Sequence, residues 1–262
     1  MPSSPQPQLQ EVIDWAKTAG RVALDGFLKD HDLGFKGATD VVTEIDYQCE
    51  KLLMDSILSA FPQHAILTEE AGSIGANASD RWYIDPLDGT VNYAHRIPMY
   101  AISVAYESGG NLQLGVVYDP SRDECFAAKR GKGVWLNGQP IHVSNCTSLE
   151  KSLLCTGFPY HSMEKFNRNL KTFDHLTRHS QGVRRFGCAA LEVCYVANGR
   201  LDGYWEQEIN AWDIAAGTLI VQEAGGIVTD LEGNPDFFKP PYAVLGSAPG
   251  IHALLLEQIR RF

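Results

Sequence analysis

The sequence predicts a mixed α/β protein, an α+β half followed by an α/β half, and three observations carry that reading. Two segments of helical apolar period open the chain, and short β-rich runs bounded by turn residues follow them. Beyond about residue 146, helical and strand-like segments alternate. No internal repeat or low-complexity linker interrupts the 262 residues. The halves, 1–145 and 146–262, are therefore expected to share one core as a single domain.

In order along the chain, Leu9, Val12, Ile13, Ala16, Ala19, Val22, Ala23 and Phe27 repeat at helical spacing, so an amphipathic helix is predicted from Leu9 to Leu28. Gly34 to Asp40 is a glycine-rich loop. Thr43-Glu44-Ile45-Asp46 has the Thr-x-x-acid form of a helix start, and Pro62 closes the helix it opens. Strands are predicted at Ala65 to Thr68, Trp82 to Ile84, Ala101 to Tyr106 and Leu114 to Tyr118. Ser108-Gly109-Gly110-Asn111 and Leu136-Asn137-Gly138-Gln139 are hairpin turns, which makes part of the sheet antiparallel. The second half opens with a strand at Leu153 to Cys155, a polar helix from Met163 to Arg178 and an alanine-rich helix from Ala189 to Ala197. A last helix from Asp213 to Ala224 stops at Gly225-Gly226, and Ile227 to Thr229 continues as a strand.

Composition narrows the function. With 22 Lys+Arg against 32 Asp+Glu the net charge is −10, and no basic run occurs. Binding to a nucleic-acid backbone is disfavoured, because it needs clustered cations that release counterions. An anionic substrate stays possible, since bound cations reverse the sign of a local site. The six cysteines form no C-x-x-C pair and read as buried thiols. The first seven residues are polar, Pro-rich and read as a frayed tail. Neither a basic leader nor a run of about 18 apolar residues is found, so a cytoplasmic protein without membrane association is expected. No G-x-G-x-x-G or G-x-x-x-x-G-K-[ST] is present to bind a nucleotide.

The informative segment is Asp85-Pro86-Leu87-Asp88-Gly89-Thr90-Val91-Asn92. Ile84 reads as the end of a buried strand and Asp85-Pro86 as the start of a helix, which would place Asp85 and Asp88 on one turn. Two neighbouring carboxylates repel, and a hard dication relieves the repulsion. An ordinary capped turn is the alternative. Glu69 follows the strand Ala65 to Leu67, where functional groups of α/β folds gather, although a solvated Glu pair reads as well. Asp213 opens a small-faced helix, or simply caps it.

These residues resemble the inositol monophosphatase family. Asp85 to Asn92 is similar to its first signature and Trp212-Asp213-Ile214-Ala215-Ala216-Gly217 to its second, 128 residues on, with Thr68-Glu69-Glu70 upstream. The resemblance, which runs from about Leu9 to the end, implies a layered αβαβα sandwich of the inositol monophosphatase / fructose-1,6-bisphosphatase type. It also implies a magnesium-dependent phosphatase, lithium-sensitive and homodimeric, with two or three ions per site. Glu69, Asp85, the Leu87 carbonyl, Asp88 and Asp213 would hold the metals, Asp85 bridging two of them. Thr90 and Asp46 would activate the water, with Glu69 touching it. The N–H groups of Gly89 and Thr90 would receive the phosphate, and Lys36 would sit on a mobile loop nearby. Glu206 would receive substrate hydroxyls, with backbone of Gly187, Cys188 and Ala189 in the same pocket and Asp88 and Asp213 also facing substrate. Cys188 departs from the hydroxyl or alanine of many relatives, and Gly72 to Ser79 is short and poor in charge. Both features bear on substrate choice. The implied reaction is hydrolysis of myo-inositol monophosphate. The alternatives are a broader sugar phosphatase that takes fructose 1,6-bisphosphate, and a regulatory binding protein with incidental activity.

Overall fold

The computed structural model describes residues 6–29, 33–35, 41–75, 79–159 and 162–262. Lys36, residues 1–5 of the expected tail and residues 36–40 of the glycine-rich loop lie outside them. Residues 6 and 7 are no frayed tail: Pro7 is buried, and the Tyr106 hydroxyl reaches the Gln6 side-chain carbonyl at 3.1 Å.

Helix α1 (Leu9–Gly26) buries Val12, Ala16, Ala19 and Ala23, spaced three and four apart. Strands β1 (Leu33–Phe35) and β2 (Val41–Thr43) pair antiparallel, so Gly34 and Phe35 are strand rather than loop. Helix α2 (Glu44–Ala60) starts on the capping box formed by Thr43 and Asp46. Strands β3 (Ala65–Thr68), β4 (Gly72–Ile74) and β5 (Asp80–Asp88) precede the short helix α3 (Thr90–Ala94). Strands β6 (Ala101–Ser108), β7 (Asn111–Asp119), β8 (Glu124–Lys129), β9 (Gly133–Leu136) and β10 (Gln139–Pro140) complete an eight-stranded sheet ordered β10-β9-β8-β7-β6-β5-β3-β4. Its pairs are antiparallel except β3 with β5. Both expected turns are there, with positive φ at Gly109, Gly110, Asn137 and Gly138 as two-residue hairpins require.

The second half contains β11 (Leu153–Thr156), α4 (Met163–His179), β12 (Gly182–Arg184), α5 (Ala189–Ala197) and β13 (Gly203–Gln207). It continues through α6 (Ala211–Glu223), β14 (Ile227–Thr229), β15 (Ala243–Ser247) and α7 (Pro249–Ile259). Its five strands are ordered β12-β11-β13-β15-β14, parallel at β12-β11-β13 and antiparallel beyond.

Helices α1 and α2 cover one face of the large sheet, α5 and α6 lie between the two sheets, and α4 and α7 cover the small one, giving the αβαβα sandwich. The buried apolar residues follow the layers. Val12, Leu53, Ile57, Trp82 and Ile84 pack under α1 and α2. Tyr83, Val117, Leu191, Leu219 and Val244 fill the middle. Leu154, Trp205, Leu245, Ile251 and Leu255 pack against α4 and α7.

The central helix lies close to its sheet at Gly115 on β7, where a Cβ would stand 2.8 Å from the Ala216 carbonyl oxygen and 3.1 Å from its Cα. Backbone cannot swing aside as a flexible side chain does. Gly115→Val is therefore expected to destabilise the fold by about 1–3 kcal/mol, lowering the melting temperature by roughly 3–10 °C. A thermal melt within 1 °C of the unaltered chain would show that α6 shifts freely on the sheet.

Candidate active site

The acidic residues meet at the end of β5, and the way this strand ends differs from the sequence expectation. The strand continues to Asp88, with its register against β6 shifted between Asp85 and Asp88. Trp82 and Ile84 face the α1/α2 layer and Tyr83 faces the middle layer, as alternation requires. Leu87 also packs on the α1/α2 side, so the parity has switched across the bulge. Asp85 and Asp88 thus share the middle-layer face because of a bulge in a strand; no helical turn carries them. The same face meets the start of α5, whose Ala190 N–H donates to Asp88 Oδ2 at 2.6 Å. Asp85 Oδ1 accepts from the Leu87 N–H at 3.1 Å.

Parallel pairing of Thr68 with Ile84 puts the residues that follow, Glu69 and Asp85, at adjacent strand ends. Asp213 is the third residue of α6, and its Oδ2 accepts from the Asn210 N–H at 2.9 Å. It is the acid of a capping box, not the cap itself, and it stands near enough to Asp85 for the two carboxyls to influence one another. Burial first, and then Glu69, Asp88 and Asp213, push the Asp85 carboxyl well above the usual carboxylate range. Burial raises Asp88 to about 6 and Asp213 to about 8, with neighbouring carboxylates adding to both shifts. No ion pair among the described residues involves Asp85, Asp88 or Asp213.

This donor set, carboxylates and a carbonyl without nitrogen or sulfur, fits a hard divalent cation. Among the described residues, no three His, Cys, Asp or Glu side chains stand as a preformed ligand set. The carboxylates are close enough to repel one another yet do not point at one common centre.

Asp46 is hydrogen-bonded through both of its oxygens. Its Oδ2 accepts from the Thr43 N–H at 2.9 Å and the Thr43 hydroxyl at 2.6 Å, completing the capping box, while Oδ1 lies 2.9 Å from the Thr90 hydroxyl. The Thr90 hydroxyl is also 2.9 Å from the Leu87 carbonyl. It has one proton for the two acceptors and keeps lone pairs to accept from a third partner. Burial raises the Asp46 pKa, and its bonds to Thr43 and Thr90 temper the rise. Gly89, between strand and helix, has φ +88°, and a Cβ there would stand 2.7 Å from the Met99 carbonyl oxygen. Only glycine fits that corner.

On the far side, Glu206 on β13 is buried, accepts a hydrogen bond from the Tyr204 hydroxyl, and is raised to about 8, chiefly by burial. Gly187, Cys188 and Ala189 form the start of α5 beside Asp88.

Three positioning groups escaped the sequence reading. Glu192, buried on α5, accepts from the N–H groups of Phe186 at 2.5 Å and Gly187 at 2.9 Å. The Asn92 amide donates to the carbonyls of Met99 at 2.9 Å and Phe186 at 2.8 Å, tying the two halves together beside the site. Glu50, buried on α2, is the third. For Glu192 a charge on an otherwise apolar helix was the available signal, whereas Glu50 shares its buried face with Asp46.

Two α/β sheets in a five-layer sandwich, with carboxylates gathered where strands end and helices begin, define the class of protein. The chain belongs to the inositol monophosphatase family, whose model matches residues 5–262. It is 41% identical over 257 residues to the Nus factor SuhB of Pseudomonas aeruginosa, covering 95% of each chain. It is 44% identical over 236 residues to an inositol-1-monophosphatase of Synechocystis, covering 89% of this chain and 82% of that one. The crystal structure of the extragenic suppressor protein SuhB of Bartonella henselae superposes with a TM-score of 0.91 at 36% identity, covering 96% of this chain and 98% of the other.

Proposed function

We propose that residues 1–262 form one catalytic unit, a magnesium-dependent phosphomonoesterase that hydrolyses myo-inositol monophosphate to myo-inositol and phosphate. The observation that carries this reading is the meeting of Glu69, Asp85, Asp88 and Asp213, in which neighbouring charges raise the carboxyls of Asp85, Asp88 and Asp213, beside a Thr90–Asp46 hydrogen bond. Glu69, Asp85, the Leu87 carbonyl, Asp88 and Asp213 would hold two or three magnesium ions. Magnesium, when bound, supplies the positive charge that makes water acidic and offsets the charge growing on the leaving oxygen. Thr90 accepts from the attacking water while passing its own proton towards Asp46, which burial has made a better base, and Glu69 orients that water. As the water oxygen bonds to phosphorus, the ester P–O bond breaks and the inositol oxygen leaves, taking a proton from a solvent water to become a hydroxyl, while the proton of the attacking water rests with Asp46. Gly89 and Thr90 N–H groups orient the phosphate. Glu206 accepts from ring hydroxyls, and Gly187, Cys188 and Ala189 border the ring, with Asp88 and Asp213 between phosphate and alcohol.

The name Nus factor carried by a relative at 41% identity favours a second reading, in which a homodimer of this chain acts by binding a partner and catalysis is incidental. The net charge of −10 favours a protein partner over direct nucleic-acid contact. Among the described residues no helix is long and apolar enough to cross a membrane, and the six unpaired cysteines suit a reducing cytoplasm.

Phosphate release from myo-inositol 1-phosphate and fructose 1,6-bisphosphate, with magnesium and with EDTA, tests the reading. Turnover that needs magnesium, is faster on the monophosphate and falls in millimolar lithium is the expected result. Faster turnover of the bisphosphate would favour the broader sugar phosphatase, and silence on both would favour the binding protein.

A further inference from the structure

Glu50 is buried, 5% exposed, on the face of α2 that also carries Asp46, Cys49, Leu53 and Ile57. The catalytic reading gives it no part. One carboxylate oxygen, Oε1, accepts from the Thr68 hydroxyl at 2.6 Å and from the backbone N–H groups of Glu70 and Ala71 at 3.0 Å each. Thr68 ends β3 and Gly72 begins β4, so these three bonds enclose the turn at whose centre stands Glu69. A buried carboxylate is unfavourable unless hydrogen-bonded, and an apolar side chain would fill the same space without that penalty. What the carboxylate adds is a fixed backbone on both sides of Glu69, through charge-assisted bonds that hold geometry tightly.

We propose that Glu50 is a positioning residue: it clamps the Thr68–Ala71 turn so that the Glu69 carboxylate faces Asp85, and thereby sets the affinity of the acidic cluster for a divalent cation. The proposal rests on the reading of Glu69 as a metal ligand. Partners behind a metal's direct ligands typically change affinity or activity by roughly 10–100-fold when removed.

Manganese(II) serves as the probe, its free fraction followed by electron paramagnetic resonance during titration of the unaltered chain, Glu50→Ala, Glu50→Gln and Thr68→Val, with a thermal melt of each. Glu50→Ala is expected to bind manganese about tenfold to a hundredfold more weakly and to need correspondingly more magnesium for half-maximal turnover, with the larger part of kcat recovered at saturation. Glu50→Gln keeps an oxygen acceptor for all three donors and is expected to restore most of the affinity. Thr68→Val removes one bond of the three and should weaken binding in the same direction by less, which keeps the test open if Glu50→Ala does not fold. Manganese affinity unchanged in Glu50→Ala, or in Thr68→Val where the alanine variant fails, would overturn the clamp even if the melting temperature fell. An unaltered chain that binds no manganese would overturn the metal reading and the clamp together.

Discussion

Asp85→Asn is expected to release phosphate from myo-inositol 1-phosphate on the order of a thousandfold more slowly than the unaltered chain at saturating magnesium, while melting no lower. The loss follows from its place. Asp85 interacts with Glu69, Asp88 and Asp213 alike, and in the proposed metal site it would bridge the ions that these carboxylates hold. Several kcal/mol of transition-state charge stabilisation depend on metals it would hold, and each 1.4 kcal/mol is a tenfold change in rate. Stability follows from the same surroundings with the opposite sign. Burial and three neighbouring carboxylates disfavour the Asp85 anion, so a neutral amide of the same shape removes repulsion in the metal-free protein. The Leu87 N–H keeps its acceptor at Asn Oδ1. Phosphate release measured beside a thermal melt in EDTA separates the two effects. Turnover within tenfold of the unaltered chain would take Asp85 out of the metal site, and a large fall in melting temperature would make its role structural.

The sequence disclosed the candidate carboxylates more readily than it disclosed their geometry. Asp85 and Asp88 stand three apart, and that spacing suits a helical turn or a bulged strand equally, since Pro86 is tolerated at a helix start and at a bulge. The switch of core face between Ile84 and Leu87 decides for the bulge, and it depends on two layers that the local sequence does not contain. For Asp46 the capping box is a local pattern legible in the sequence, whereas the bond of its second oxygen to Thr90 was pointed to by resemblance alone. Glu206 was found by resemblance alone, while β13 and β15, which hold it through the Glu206–Val244 pairing, carry no alternation to mark them, all five residues of β13 being buried. The helix α7 was missed for a related reason: it is apolar on most sides and opens with Pro249-Gly250, a pair that reads as a turn. Glu192 acts on the backbone five and six residues before it, whereas Asn92 reaches a carbonyl 94 residues away that only folding brings near. Glu192 leaves one charge on an otherwise apolar, buried helix as its local trace, and the long-range contact of Asn92 leaves none.

In EDTA the protein is expected to melt several degrees lower at pH 8 than at pH 5.5, and magnesium should remove most of that difference. The folded-state pKa of Asp88 rises from 3.8 to about 6 and that of Asp213 from 3.8 to about 8, burial being the first cause of each. Between the unfolded and folded values the native state binds more protons than the unfolded chain, so stability falls as pH rises through this window. These acids therefore stabilise the fold least where they are fully ionised, in contrast to a salt-bridged carboxylate. Glu192 and Glu206, each raised to about 8, contribute in the same direction. A cation bound only by the native state reverses the trend, because it favours the ionised ligands and adds binding free energy to folding. Asp213→Asn should flatten the pH dependence in EDTA and weaken the response to magnesium, whereas Glu206→Gln should flatten the first and leave the second, since Glu206 is placed on the alcohol side. Melting temperatures across pH 5.5–8 with and without magnesium for the three proteins supply the check. If magnesium leaves the unaltered chain's pH trend unchanged, the raised carboxylates are a buried acidic core without a cation, and the phosphatase reading loses the charge that its chemistry requires.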